Sequence, residues 1–243
     1  MSTATADHAD DANDGGSPAM HERVLDAIGV AIAAGELPPG SRLTLEGLQQ
    51  EYGVSRTVAR DTMKVLESMN LVYSRRRVGI VVQRRELWNV FDPKLVRWRL
   101  ASDRRAQQYS SLTELRIAVE PIAAAGAARR ASAAERSQLV ALAADLRRHG
   151  EAGELQAFLA ADIAFHRLLL TSCGNEMFTA LEAMVAEVLT SRTQHGLMPF
   201  KPRPEALDAH EEVAAAVAGG DATAAESAMH HILDEVRNAM GLH

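Results

Sequence analysis

The stretch LEGLQQEYGVSRTVARDTMKVL, Leu45–Leu66, decides the fold. Leu48 marks the inner side of a first short helix, expected over 44–52. Gly53 takes the turn, where a positive φ is cheap for glycine. Val54 follows as a plug between two helices. Ser55 stands where its hydroxyl can accept from the free N–H groups of a second helix, expected over 55–69. Val58, Met63 and Leu66 give that helix an apolar side, and the other side carries Arg56, Thr57 and Arg60 near its N-terminus. Two short helices across a tight glycine turn form a helix-turn-helix, whose second helix offers its N-terminal side chains to base edges and phosphates. An arginine there can bridge guanine O6 and N7 or grip a phosphate. Any one of these arginines alone reads equally well as part of a solvated face.

The flanking sequence completes the module. Upstream, Val24, Leu25, Ile28 and Ile32 recur at helical spacing until Gly35, and Pro38-Pro39-Gly40 makes a turn. Downstream, Leu71-Val72-Tyr73, the basic tip Arg75-Arg76-Arg77, Gly79 and Ile80-Val81-Val82 read as a small hairpin. A basic tip beside a recognition helix suits the DNA backbone or minor groove. Residues 19–85 are therefore expected to form a winged helix-turn-helix of three helices and a β-hairpin wing. Residues 1–18, acidic and poor in large apolar groups, are expected to be a disordered tail. Residues 86–106, with Trp88, Phe91-Asp92-Pro93 and Trp98, read as a connector. From there on, residues 107–243 have helical periodicity. Breaks fall near Ala131–Ser132, Gly150–Gly153, Gly174, Gly196–Pro204 and Gly219–Gly220, which predicts an antiparallel all-α bundle and a mainly α protein.

Charge follows the same division. The net charge of the 243 residues is −6, which taken whole argues against nucleic acid. Yet residues 19–85 carry ten Lys and Arg against seven Asp and Glu, while residues 86–243 carry sixteen against twenty-one. A weakly basic module joined to an acidic one is the asymmetry of a DNA-binding domain with a sensor. One cysteine, Cys173, excludes a disulfide within the chain and reads as a small buried apolar group. No apolar run reaches the length of a membrane span. No basic region followed by an apolar run opens the chain, so a cytoplasmic location is expected.

In the helical half, Asp162 and His166 stand four residues apart and share a helix face. With His210 from a later helix they could chelate a metal and leave coordination sites open for water or an acidic ligand. The same Asp-x-x-x-His pattern also occurs as surface decoration or as a capped core histidine. Arg116, in an apolar helix, could grip a carboxylate bidentately, or pair with Glu120 one turn away. Arg192 is a second candidate for an anion. His195 reads as a surface or loop residue.

Residues 20–83 resemble the N-terminal domain of GntR-family regulators. The resemblance is carried by AIAAGELPPGSRL (31–43), YGVSRTVARDTMKVLESMNLV (52–72) and SRRRVGIVV (74–82). The remainder is similar to the ligand-binding domain of the FadR/FCD subfamily. Here the residues are ELRIAVEPIAAAGAARRAS (114–132), ADIAFHRLLLTSCGNEMF (161–178) and AHEEVAAAVAGGDATAAESAM (209–229). The connector WNVFDPKLVRWRL (88–100) looks most like the sugar-acid-responsive, galactonate-type branch. The resemblance implies a homodimeric repressor that leaves a palindromic operator when a small acid binds. It assigns operator contacts to Arg56 and Arg60 and to the Arg75–Gly79 wing. It assigns none to Glu46, which stands where many members carry arginine.

For the sensor, many FCD domains bind metal through an Asp, a His four residues on, and two later His. Asp162, His166 and His210 match three of these, and Arg116 matches a pocket position. The fourth slot falls on Ile232. His231 is adjacent, but one residue is about 100° of helix rotation. A three-ligand site, with zinc favoured by the imidazoles, a site completed by His231 after a local shift, and a metal-free pocket using these groups all follow. A helical metalloenzyme joined to a DNA-targeting module is an alternative, since the Asp/His set could activate water. Against it stand the lack of a paired general acid and base, of a nucleophile–base set and of a phosphate-cradling glycine loop in the sequence. An architectural DNA-binding protein with a pure dimerisation domain is a third reading.

Overall fold

The computed structural model describes residues 18–239. The tail expected over residues 1–18 lies outside the described residues except for Pro18, which opens the first helix. The chain divides into two compact units, one ending at Asn89 and the other beginning at Val90.

In the first unit, helix α1 (Pro18–Ala34) packs against α3 (Arg56–Ser68). It buries Val24, Leu25, Ile28 and Ile32, the positions its period picks out. Helix α2 (Leu45–Tyr52) is capped by Thr44, whose Oγ1 accepts from Gly47 N at 3.0 Å, and ends at Gly53 with φ 65°. Ser55 Oγ accepts from Val58 N and caps α3. Leu48, Val54, Val58, Met63 and Leu66 are all buried. Strands β2 (Val72–Arg75) and β3 (Gly79–Val82) form the wing, antiparallel, with Arg75 opposite Gly79. Strand β1 (Arg42–Leu43) has no signature in the sequence; it pairs with β3 and makes a three-stranded sheet of order β1-β3-β2. Two residues are too few to display alternation, so only the ladder reveals them. Gly79 has φ 102°, and a Cβ there would meet Leu43 O at 3.1 Å. Glycine is thus needed both for the turn and for the close approach of β1.

In the second unit, eight helices follow among the described residues. These are α4 (Pro93–Leu100), α5 (Arg105–Arg130), α6 (Ala133–Ala152), α7 (Leu155–Ser172), the single turn α8 (Glu176–Thr179), α9 (Glu182–Gln194), α10 (Pro204–Gly219) and α11 (Ala222–Ala239). Helix α5 packs against α11, α7 and α10, and α6 packs against α7 and α10. Alanines 124, 127 and 128 of α5 let these helices approach closely around Leu146, Phe165, Val213, Met229 and Leu233. The breaks lie where glycine and the Ala131–Ser132 pair suggested.

The segment read as a connector behaves otherwise. Asp92 Oδ1 accepts from Lys94 N at 2.9 Å and Pro93 takes the first helical position, so α4 starts with a cap and an N1 proline. Leu95, Val96, Trp98 and Leu100 are buried, and Val96 and Leu100 join a second core with Tyr109, Leu112, Val185 and Val188. Helix α4 is a core element of the second unit. Lys94, Arg97 and Arg99, interspersed among these, masked a stripe that only packing against α9 makes visible. Among the described residues, no helix is long and apolar enough to cross a membrane.

Candidate functional site

Two constellations stand out, one in each unit. In the first unit, the capped N-terminus of α3 exposes Arg56, Thr57 and Arg60, and the wing exposes Arg75, Arg76 and Arg77. Arg77 lies at φ 62° in the wing turn. A groove of about 460 Å³ runs between helix and wing, lined by Arg56, Arg60 and Lys64 from α3 and by Arg75, Arg76 and Gly79 from the wing. Glu67 Oε1 accepts from Ser74 N at 3.0 Å and ties the end of α3 to β2, which fixes the two walls against each other. The sequence pointed to the arginines but not to Lys64, two turns along the same face. Nor did it show what Glu46 does. Glu46 also lines the groove, and its Oε1 accepts from Arg56 Nη1 at 3.1 Å, with both side chains exposed.

In the second unit, a cavity of about 380 Å³ opens between α5, α7, α9, α10 and α11. Asp162 and His166 project from one face of α7, and His210 reaches across from α10. His166 Nε2 lies 3.4 Å and His210 Nε2 3.5 Å from Asp162 Oδ1, and the three donor atoms fall within 4.8 Å of one another. Phe165 sets its ring edge-on to both imidazoles, with centroids 5.8 and 5.2 Å away, and so fixes their planes. His210 Nδ1 is 2.6 Å from Ala206 O. That carbonyl can only accept, so Nδ1 donates to it and Nε2 is the atom turned toward Asp162. This Nε2 is buried and has no hydrogen-bond partner. A tetrahedral ion with bonds of ~2.0–2.2 Å would space its donors roughly 3.3–3.5 Å apart, which the two distances from Asp162 match.

Charges behind the site are arranged in a chain. Arg116 Nε and Nη2 donate to Glu120 Oε1 and Oε2 at 2.6 and 3.1 Å, a buried fork-to-fork pair. Glu120 Oε2 also lies 2.8 Å from His166 Nδ1, in ion-pair contact but off the line of a hydrogen bond. Burial opposes ionisation at Glu120, yet Arg116 and His166 outweigh it and hold the carboxyl at about 2. Burial likewise works against a charged His166, but Glu120 and Asp162 raise it to about 9. Asp162 is held well below the usual carboxylate range because His166 and His210, in close contact with it, overcome its burial. A carboxylate behind a ligating imidazole is the arrangement that orients metal-binding histidines. The sequence suggested Glu120 as a partner for Arg116 and missed its second role, since His166 comes from another helix.

The remaining candidates separate. Arg116 and Arg192 both line the cavity. Arg116 is engaged by Glu120, whereas Arg192, buried on α9, has no hydrogen-bond partner for its Nε. His231 is exposed and lines a separate surface hollow with Glu205, Asp208 and Glu212, so it does not join the set. Ile232 is the residue of that turn that is buried against the cavity. The rotation per residue decides this, and α11 makes no local shift to undo it. Glu235, one turn further along, lines the cavity and went unnoticed in the sequence.

Residues 20–82 match the model of bacterial regulatory proteins of the gntR family, and residues 111–235 match the FCD domain. The chain is 28% identical over 209 residues to the galactonate operon transcriptional repressor of Escherichia coli, covering 85% of this chain and 90% of that one. It is 30% identical over 217 residues to an uncharacterised HTH-type transcriptional regulator of Mycobacterium tuberculosis, covering 88% and 87%. Among solved structures, Lar of Listeria monocytogenes superposes with a TM-score of 0.56 at 18% identity, covering 91% of this chain and 96% of that one, a likeness of fold.

Proposed function

Because this chain belongs to the gntR family of bacterial regulatory proteins and carries an FCD ligand-binding domain, a transcription regulator by that membership, we propose that it is a homodimeric repressor released from a palindromic operator by a sugar acid. The observation that carries the effector half is the cavity of the second unit, where Asp162, His166 and His210 converge beside arginines. Its volume lies in the ~300–1,000 Å³ range of small-molecule sites. The relative named as a galactonate operon repressor supports an aldonic acid as the effector class.

On DNA, the α3 N-terminus enters the major groove, with Arg56, Thr57 and Arg60 at base edges and phosphates and Arg75–Arg77 with Gly79 along the adjoining backbone. A dimer places two such helices about one turn of DNA apart. In the cavity, Asp162 and the Nε2 atoms of His166 and His210 would hold a divalent metal, zinc being favoured by the nitrogen-rich set. Such an ion supplies a Lewis-acidic centre for carboxylate and hydroxyl oxygens. Glu120 orients His166, Ala206 O orients His210, and Phe165 keeps water from the back of both rings. The effector shifts the equilibrium only through its different affinity for the DNA-competent and released states.

The test is an operator gel-shift on the full chain with galactonate added, with and without prior chelation. Release by galactonate that chelation weakens supports the reading. An operator complex indifferent to every aldonate, together with a melting curve unmoved by them, sinks the effector half and leaves the DNA half standing.

A further inference from the structure

We propose that Arg192, and not Arg116, seats the carboxylate of the effector, which is therefore an organic acid recognised by its charge at the α9 wall and by its hydroxyls at the Asp162 side. The assignment rests on the reading that the cavity holds an acidic effector.

Arg192 stands in the last turn of α9, 8% exposed, with its side chain lining the cavity. Its Nε is buried without a hydrogen-bond partner, and its Nη2 reaches only the Met198 sulfur at 4.0 Å. No carboxylate among the described residues forms an ion pair with it. Asp162 and Glu235 act on it from a distance, while burial and the nearby Arg116 work against its charge. A guanidinium cannot shed its proton in a protein, so a buried one without an anion is a standing cost to the fold. A planar carboxylate entering the cavity would meet that fork in its preferred geometry.

Arg116 is differently placed. Two of its nitrogens are committed to Glu120, whose carboxylate already balances its charge. Across the cavity from α9 stands the Asp162 carboxylate, with the two imidazoles beside it. A carboxylate there calls for hydroxyl donors or a cation, not for a second carboxylate. Apolar Leu189, Phe158 and Ile232 line the space as well. A polyhydroxy monocarboxylate meets both polar ends.

The test is calorimetric titration of the full-length protein with three acids (galactonate, gluconate and glycerate), each beside its neutral analogue, galactitol, glucitol or glycerol. Wild type should bind at least one acid more than ~10-fold tighter than its analogue, a difference of about 1.4 kcal/mol. Arg192→Met should abolish that preference while leaving affinity for the analogue in place, and its melting temperature without ligand should equal or exceed wild type. Arg192→Lys, which keeps the charge and loses the fork, should restore part of the preference. It also carries the test if the methionine variant does not fold. An acid preference undiminished in Arg192→Met or Arg192→Lys overturns this assignment and leaves the acidic-effector reading intact. A wild type that binds none of the acids, or binds acid and analogue alike, overturns both.

Discussion

Arg56 and Arg116 are each held by a glutamate, and burial makes the two pairs unlike. The Arg56–Glu46 pair is exposed at 3.1 Å, where solvent screens most of the attraction. Glu46→Gln should leave the urea midpoint unchanged. It should tighten operator binding at low salt, because it removes a negative charge from a groove that meets phosphates and frees Arg56; gel-shift titration checks this. The Arg116–Glu120 pair is buried, with Glu120 also serving His166. Arg116→Met strands that carboxylate and should cost about 3–5 kcal/mol in urea unfolding. The contrast follows from dielectric environment and could not be read from two sequences of the form Arg-plus-Glu.

At the scale of elements, the proposed function divides the labour of reading DNA between α3 and the wing. Arg60, on the face near the α3 N-terminus, should read bases. Arg60→Ala is expected to cost roughly 5- to 150-fold in operator affinity and to relax sequence preference at one position. Arg76 in the wing should hold phosphate. Arg76→Ala should weaken all sequences alike and lower the salt slope by about one, measured by titration across salt concentrations. Helix α6 offers a control remote from function. Ser132 Oγ accepts from Glu135 N, and Glu135 Oε2 accepts from Ser132 N, a reciprocal capping box. Ser132→Ala should cost about 1 kcal/mol of stability without changing effector affinity.

For the molecule as a whole, the helical core and the cavity are one structure. Phe165 belongs to the main core and also braces His166 and His210. Phe165→Ala should cost about 3–5 kcal/mol. It should also remove any difference between melting curves taken with and without chelator, because the two imidazoles lose their backing. A variant that is destabilised but keeps a chelator-sensitive melting curve would show that the rings are held by their own hydrogen bonds instead.

The sequence by itself determined the elements whose signal is local. The glycine turn at Gly53, the cap at Ser55 and the apolar period of α1 and α3 dictated a helix-turn-helix because each depends on near neighbours in the chain. Asp162 and His166 shared a face for the same reason, being one helical turn apart. Only the tertiary structure decided the rest. It joined two-residue β1 to the wing, drew α4 into the core, set Glu120 behind His166 and left Arg192 rather than Arg116 without a carboxylate. It also turned His231 to the surface and Ile232 to the cavity. These outcomes depend on which helix faces meet across long chain separations, and pairing and burial at such contacts have no period in the sequence to announce them.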